Sequence, residues 1–178
     1  MTAAAAAPTN PNALVAEAGP ALPSARGDSS AAARAPLAFS MPVRVYYEDT
    51  DAGGIVYYAN WLRYFERART DWLRALGAEH TRLAEQAGVV FVVREIAVDY
   101  RQPARLDDLL EIEVRLIEAR RASWTLWQCA RLGGQPEPLV TATVRIAAIR
   151  RDDGRPTGFP RWLNERVAAA LSQRPVDE

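Results

Sequence analysis

From residue 89 to residue 150 the chain carries four strand-like segments in succession, and no gap between them is long enough for a helix. In LEIEVRL (110–116), Leu110, Ile112, Val114 and Leu116 alternate with Glu111, Glu113 and Arg115, the period-two pattern of a half-buried strand. VTATVRIAAIR (140–150) alternates again through Val140, Ala142, Val144, Ile146 and Ala148. SWTLWQCARL (123–132) lies between these two, after a turn near Arg121 and before the GGQPEP stretch. VVFVVREIAVDY (89–100) is largely apolar and reads as a strand buried on both faces for part of its length. Parallel pairs need crossovers of a dozen or more residues, so strands joined by short loops form a mostly antiparallel sheet.

Upstream, PVRVYYED from Met41 reads as a short strand that the turn DTDAGG stops. Beyond the turn, Trp61, Phe65, Ala68 and Trp72 recur at helical spacing with Leu62, Leu73 and Leu76 beside them, which predicts an amphipathic helix from Ala59 to Leu76 with Gly77 as its C-cap. Strands of about ten residues reach roughly 30 Å, long enough to curl around that helix. The expected architecture is α+β, an antiparallel sheet of about five strands wrapped around one long central helix whose Trp61, Phe65 and Trp72 fill the core. Pro160 to Leu171 reads as a short helix. The expected organisation is a disordered Ala/Pro-rich leader over 1–40, a domain over 41–151 and a C-terminal extension over 152–178.

Composition removes several function classes. The 22 basic and 22 acidic residues balance, which argues against charge-driven binding of nucleic acid or an anionic membrane. No apolar run reaches the length of an integral membrane segment. One cysteine, Cys129, excludes an intramolecular disulfide and a multi-cysteine metal site, and suits a reducing, cytoplasmic setting. The only histidine, His80, follows the helix in GAEHTRL, far from the acidic turn, where an exposed imidazole is ordinary. That placement disfavours dehydratase chemistry and Ser or Cys triads, and the same count predicts no metal site. The leader's 15 alanines and 5 prolines over 1–40 show no apolar periodicity and lack the n-region and h-region of a secretory signal.

The run VYYEDTDAGGIVYYANWLRYFERARTDWL, with FVVREIAVDYRQPARLDDLLEIEV, resembles the 4-hydroxybenzoyl-CoA thioesterase family of hotdog-fold hydrolases, and within it the Tol-Pal-associated acyl-CoA thioesterase branch. The likeness covers about Met41 to Arg151. It implies an acyl-CoA thioesterase that needs no cofactor, coenzyme A being part of the substrate, and that acts on a short-chain or aromatic acyl group. It also implies a homodimer whose sheets join, or a homotetramer of such dimers. Acyl carrier protein stays open as an alternative thiol carrier. A second reading, an acyl-carrier or lipid-synthesis binding partner with weak or no hydrolase activity, is the alternative.

Thioester hydrolysis needs a base or nucleophile, a donor for the developing oxyanion and a slot for the acyl group. By resemblance the catalytic carboxylate falls on Asp51, as nucleophile through a mixed anhydride or as general base on water. The oxyanion donor falls on a backbone amide at Tyr58 or a near neighbour. A helix N-terminus presents unpaired N–H groups and a partial positive charge, which suits a polarised carbonyl beside an acidic turn. Gly53 and Gly54 free the backbone for positive φ and close ligand approach. Asp49 reads as a residue that orders the turn or caps the helix. Tyr57, Asn60 and Glu66 complete the expected substrate-binding set. Asn60 is either a helix cap or a carbonyl contact, and Glu66 is a reserve carboxylate whose simpler role is a pair with Arg63, Arg67 or Arg69. The chain departs from the branch at Tyr57-Tyr58, where Tyr-His is usual. Aromatic-acyl members of the wider family carry tyrosine there, so Tyr58 bears on substrate more than on reaction. Arg94, Arg101, Arg120 and Arg121 are candidates for coenzyme A phosphates by position.

Overall fold

The computed structural model describes residues 38–172, so most of the expected leader lies outside the described residues. Five strands form one antiparallel sheet: β1 (Ala38–Arg44), β2 (Val89–Tyr100), β3 (Leu109–Ala119), β4 (Ser123–Leu132) and β5 (Pro138–Arg150), in the order β1-β3-β4-β5-β2. Helix α1 (Asn60–Ala75) lies against the concave face, and α2 (His80–Gln86) and α3 (Arg161–Ser172) close one end. This is the hotdog arrangement that the resemblance implies. Among the described residues no helix is long and apolar enough to cross a membrane.

The alternating residues point where their period requires. Leu110, Ile112, Val114 and Leu116 of β3 and Val140, Ala142, Val144, Ile146 and Ala148 of β5 are all buried. Trp61, Tyr64, Phe65, Ala68 and Trp72 of α1 fill the hollow of the sheet, with Trp72 edge-on to Trp124 of β4 at 5.9 Å. Helix α1 ends where Gly77 takes φ +77°. The Gly77 N–H bonds to Arg74 O at 2.8 Å and the Ala78 N–H to Leu73 O at 2.8 Å, the paired bonds of a Schellman motif that satisfy two terminal carbonyls.

Two expectations change and a third narrows. The first strand begins at Ala38 and ends at Arg44, and Tyr47–Asp49 form a 3-10 turn instead of continuing it. The Asp49 carboxylate accepts the Tyr46 N–H at 2.9 Å, so a side chain takes the place of a ladder partner. His80 starts a seven-residue helix, too short to show a period in the sequence. Finally, β2 is an edge strand, and its opening run of burial on both faces spans Val89–Val92 and is only partial beyond Val89. Its inward positions Val93 and Ile96 remain 50% and 37% exposed, because α1 lies over β3 and β1, towards the other border of the sheet, and leaves this border open.

Candidate active site

The loop between the 3-10 turn and α1 is a miniature hairpin. Thr50 bridges Val56, the Asp51 N–H bonds to Ile55 O at 2.9 Å, and the Gly54 N–H returns to Asp51 O at 2.9 Å. The link from β2 to β3 holds this hairpin in place: Val56 N–H donates to Ala104 O at 2.9 Å, and Ile55 bridges Arg105. Ala104 and Arg105 therefore support the hairpin, a role that needed long-range contacts to see.

At the hairpin tip Asp51 is exposed, and its Oδ1 accepts the Gly53 N–H at 2.8 Å. A Cβ on Gly53 would stand 3.1 Å from that same oxygen, so glycine is what lets the carboxylate close over the backbone. Gly54 has φ +70°, and a Cβ there would meet nothing within 4 Å, so at this position backbone conformation alone calls for glycine. Asp49 is buried at 8% exposure and faces inward. Its carbonyl accepts Tyr57 N–H at 2.8 Å and Asn60 Nδ2 at 3.0 Å. The Tyr64 phenol is buried against the Asp49 carboxylate without a well-directed hydrogen bond; burial first, and then that carboxylate, push its pKa up.

Helix α1 begins without a side-chain cap. Asn60 is not that cap, since its amide is tied to Asp49 O. Among the described residues neither the Tyr58 N–H nor the Ala59 N–H donates a hydrogen bond, so both stay available at the positive end of the helix. Tyr57 and Tyr58 flank them, with ring centroids 4.6 Å apart and both phenols exposed. The Tyr57 phenol is raised above its ordinary pKa, chiefly by the neighbouring Tyr58 hydroxyl and least by the Asp51 carboxylate. Tyr100, at the end of β2, donates its hydroxyl to Tyr58 O at 3.2 Å and so brings the open edge of the sheet to the helix start. Sequence reasoning passed over Tyr100, whose place follows only from the β2–β5 register.

Glu66 lies farther along α1 and, among the described residues, forms no ion pair with Arg63, Arg67 or Arg69. Its Oε1 accepts the Thr70 hydroxyl at 2.8 Å. Arg69 is buried instead, donating to Gln128 Oε1 at 2.6 Å, and burial pulls its guanidinium down while Glu66 partly opposes this. Glu66, Arg69 and His80 line a cavity of about 60 Å³ behind the helix. Burial also lowers the His80 imidazole. Cys129 is buried in β4, where burial pushes its thiol up to about 11 and disfavours the thiolate. Of the candidate arginines, Arg101 sits beside Tyr100 and pairs with Asp99 at 2.8 Å. Arg120 pairs with Glu118 at 2.7 Å in the β3–β4 turn, and Arg121 follows it, at the end of the sheet away from the hairpin.

An uncapped helix start beside an exposed carboxylate within a hotdog sheet can polarise a carbonyl and attack it. In comparison with known proteins, residues 45–167 match the model of the thioesterase-like superfamily. The chain belongs to that superfamily. It is 46% identical over 123 residues to the acyl-CoA thioesterase YbgC of Haemophilus influenzae, covering 69% of this chain and 89% of that protein. It is 33% identical over 136 residues to the acyl-CoA thioesterase YbgC of Helicobacter pylori strain J99, covering 72% of this chain and 99% of that protein. Among solved structures, a probable thioesterase from Bartonella henselae superposes with a TM-score of 0.64 at 37% identity, covering 69% of this chain and 99% of that one. The Tol-Pal-associated branch to which the acidic turn pointed is the branch of the YbgC proteins. Among the described residues of this superfamily member, no group of three or more His, Cys, Asp or Glu is placed to hold a metal.

Proposed function

We propose that the protein hydrolyses acyl-CoA thioesters at the junction of the hairpin and α1. The observation that carries this reading is the pair of unbonded amides, Tyr58 N–H and Ala59 N–H, at an uncapped helix start beside the exposed Asp51. The thioester oxygen takes those amides, which stabilise negative charge as the carbonyl carbon becomes tetrahedral. Asp51 then acts in one of two ways. As nucleophile, a carboxylate oxygen bonds to the carbonyl carbon and the C–S bond breaks, releasing coenzyme A thiolate, which takes a proton from solvent. Water then cleaves the mixed anhydride. As general base, it removes a proton from water while the water oxygen attacks, and the same C–S bond breaks. Both routes yield a carboxylic acid and free coenzyme A. The Gly53 N–H fixes one carboxylate oxygen, leaving the other to react.

The test is thiol release from aliphatic and aromatic acyl-CoAs by native protein and Asp51→Asn. Asparagine keeps an Oδ1 for the Gly53 N–H and removes the charge, so the hairpin survives while turnover falls about a hundredfold or more, close to 3 kcal/mol of barrier. Equal turnover by the two proteins refutes the assignment.

The working unit in this reading is a dimer built through β2, alone or paired into a tetramer. An apolar, unpaired edge strand invites antiparallel pairing with its own copy through its free backbone edge, which leaves the inward-facing Val93 and Ile96 on the concave side. Sedimentation should give a native dimer or larger. A native monomer at micromolar concentration counts against the pairing.

A further inference from the structure

The cavity behind α1 is walled by Glu66 and Thr70 of the helix, Phe91 and Val93 of β2, Leu126 of β4 and Ile146 of β5. Its polar groups are held at the wall: Glu66 with Thr70 at 2.8 Å and Arg69 with Gln128 at 2.6 Å, while His80 packs edge-on to Phe91 at 5.5 Å. The remaining lining is aliphatic and aromatic, and an apolar cavity takes an apolar guest. At about 60 Å³ it is well below the roughly 150 Å³ that accommodates benzene, so it suits the end of an unbranched alkyl chain and not a ring.

An open strip leads to it from the helix start. Tyr100 touches Tyr58 O, and Ile96 and Val93 follow on the same inward face of β2, kept in phase by the irregularity between Val93 and Glu95. Glu66 lies about 9 Å along α1 from Asn60. An extended chain advances about 1.2 Å per bond, so an acyl group of about eight to ten carbons reaches the cavity from a carbonyl held at the amides.

The far wall is fixed from behind. Phe159, from the segment after β5, stacks on Trp124 at 4.1 Å and meets Phe91 edge-on at 5.0 Å. The Phe159 N–H bonds to Arg121 O at 2.9 Å, and Asn164 of α3 accepts the Trp124 Nε1–H at 3.2 Å. Arg166 closes the same corner by donating to Leu76 O at 2.6 Å.

We propose that this cavity receives the methyl end of a straight-chain aliphatic acyl group and that Phe91, backed by Phe159 as a positioning residue, sets the longest chain accepted. The inference rests on the hydrolase reading above and supplies its substrate class. It is tested by kcat/KM for straight-chain acyl-CoAs from acetyl to palmitoyl, with benzoyl-CoA and an ω-carboxyacyl-CoA, using native protein, Phe91→Ala and Phe159→Leu. Native activity should rise to about decanoyl and then fall by about tenfold for a chain that overruns the floor. Phe91→Ala should move that limit to longer chains, and Phe159→Leu should move it by less. A merely structural loss lowers all lengths together, so parallel profiles overturn the proposal, as does a preference for benzoyl or for an ω-carboxylate drawn to Arg69. If Phe91→Ala does not fold, Val93→Phe, which adds bulk from the open side, should shorten the limit; an unchanged limit overturns the proposal. If the native protein hydrolyses none of the panel, the hydrolase reading falls. The limit is then read from the dissociation constants of S-alkyl coenzyme A thioethers, where the same shift supports the cavity assignment and identical length profiles overturn it.

Discussion

Replacing Gln128 by leucine should destabilise this protein by about 3 kcal/mol, although the two side chains are close in size. Gln128 is fully buried, donates through Nε2 to Phe65 O at 2.9 Å and accepts Arg69 Nη1 at 2.6 Å. Arg69 is itself only 8% exposed and, among the described residues, has no carboxylate in ion-pair contact, so Gln128 answers a cation inside the core. A hydrogen bond to a charged group contributes about 1.5–3 kcal/mol and a neutral one about 1 kcal/mol, and the abandoned guanidinium stays desolvated. For a chain of this size, 3 kcal/mol lowers Tm by about 10 °C. Calorimetry and urea titration of native, Gln128→Leu and Arg69→Met/Gln128→Leu proteins measure it. The double variant should recover most of the loss, because no buried charge is left unanswered. A single variant within about 1 kcal/mol of native, or a double variant no more stable than the single, would refute the reasoning.

At the hairpin, Gly53→Ala brings a methyl within 3.1 Å of Asp51 Oδ1, so kcat should fall by about tenfold or more while Tm moves little; unchanged kcat means the carboxylate's posture is not critical. The His80 imidazole is lowered by burial, so the unfolded chain takes up its proton first as pH falls. Its contribution to stability is present above about pH 6.5 and is lost as pH drops from there toward the folded pKa, and His80→Gln should flatten that part of the urea-midpoint profile; parallel profiles refute it.

Helix α1, β3, β4 and β5 were legible because each repeats its period several times, and an error at one residue leaves the phase intact. In the run 89–100 the strand was legible and its exposed middle was not, for a physical reason. Val93 and Ile96 look the same in a sequence whether the strand lies inside the sheet or at its edge, and only the strand order separates the two. Within the site, Asp51, Gly53 and Gly54 stood out because an acidic glycine turn before a helix is rare chemistry in a short stretch. Tyr100, Ala104 and the cavity behind Glu66 depend on contacts between residues tens of positions apart, such as Tyr100 with Tyr58, which no local pattern encodes.

The start of α1 shows how local chemistry was turned away from its usual use. Asp49, Asp51 and Asn60 are all residues that cap helices well, and a cap is worth about 1 kcal/mol. None of them caps α1. Asp49 binds Tyr46 N–H, Asp51 binds Gly53 N–H, and Asn60 binds Asp49 O, so three polar side chains hold the loop to itself. The cap position falls to Ala59, which has no side-chain oxygen to offer. The forgone stabilisation leaves the positive end of the helix dipole uncompensated, next to the free Tyr58 and Ala59 N–H groups and with a carboxylate nearby. Ala59 has helical backbone angles (φ −75°, ψ −20°), so Ala59→Asp would act through its charge at the positive end of the helix dipole, and it would set a second negative charge where the oxyanion has to form. A protein made more stable by that change, as Tm reads it, should therefore also be a slower one, and a variant that gains Tm at unchanged kcat would mean the open helix end takes no part in turnover.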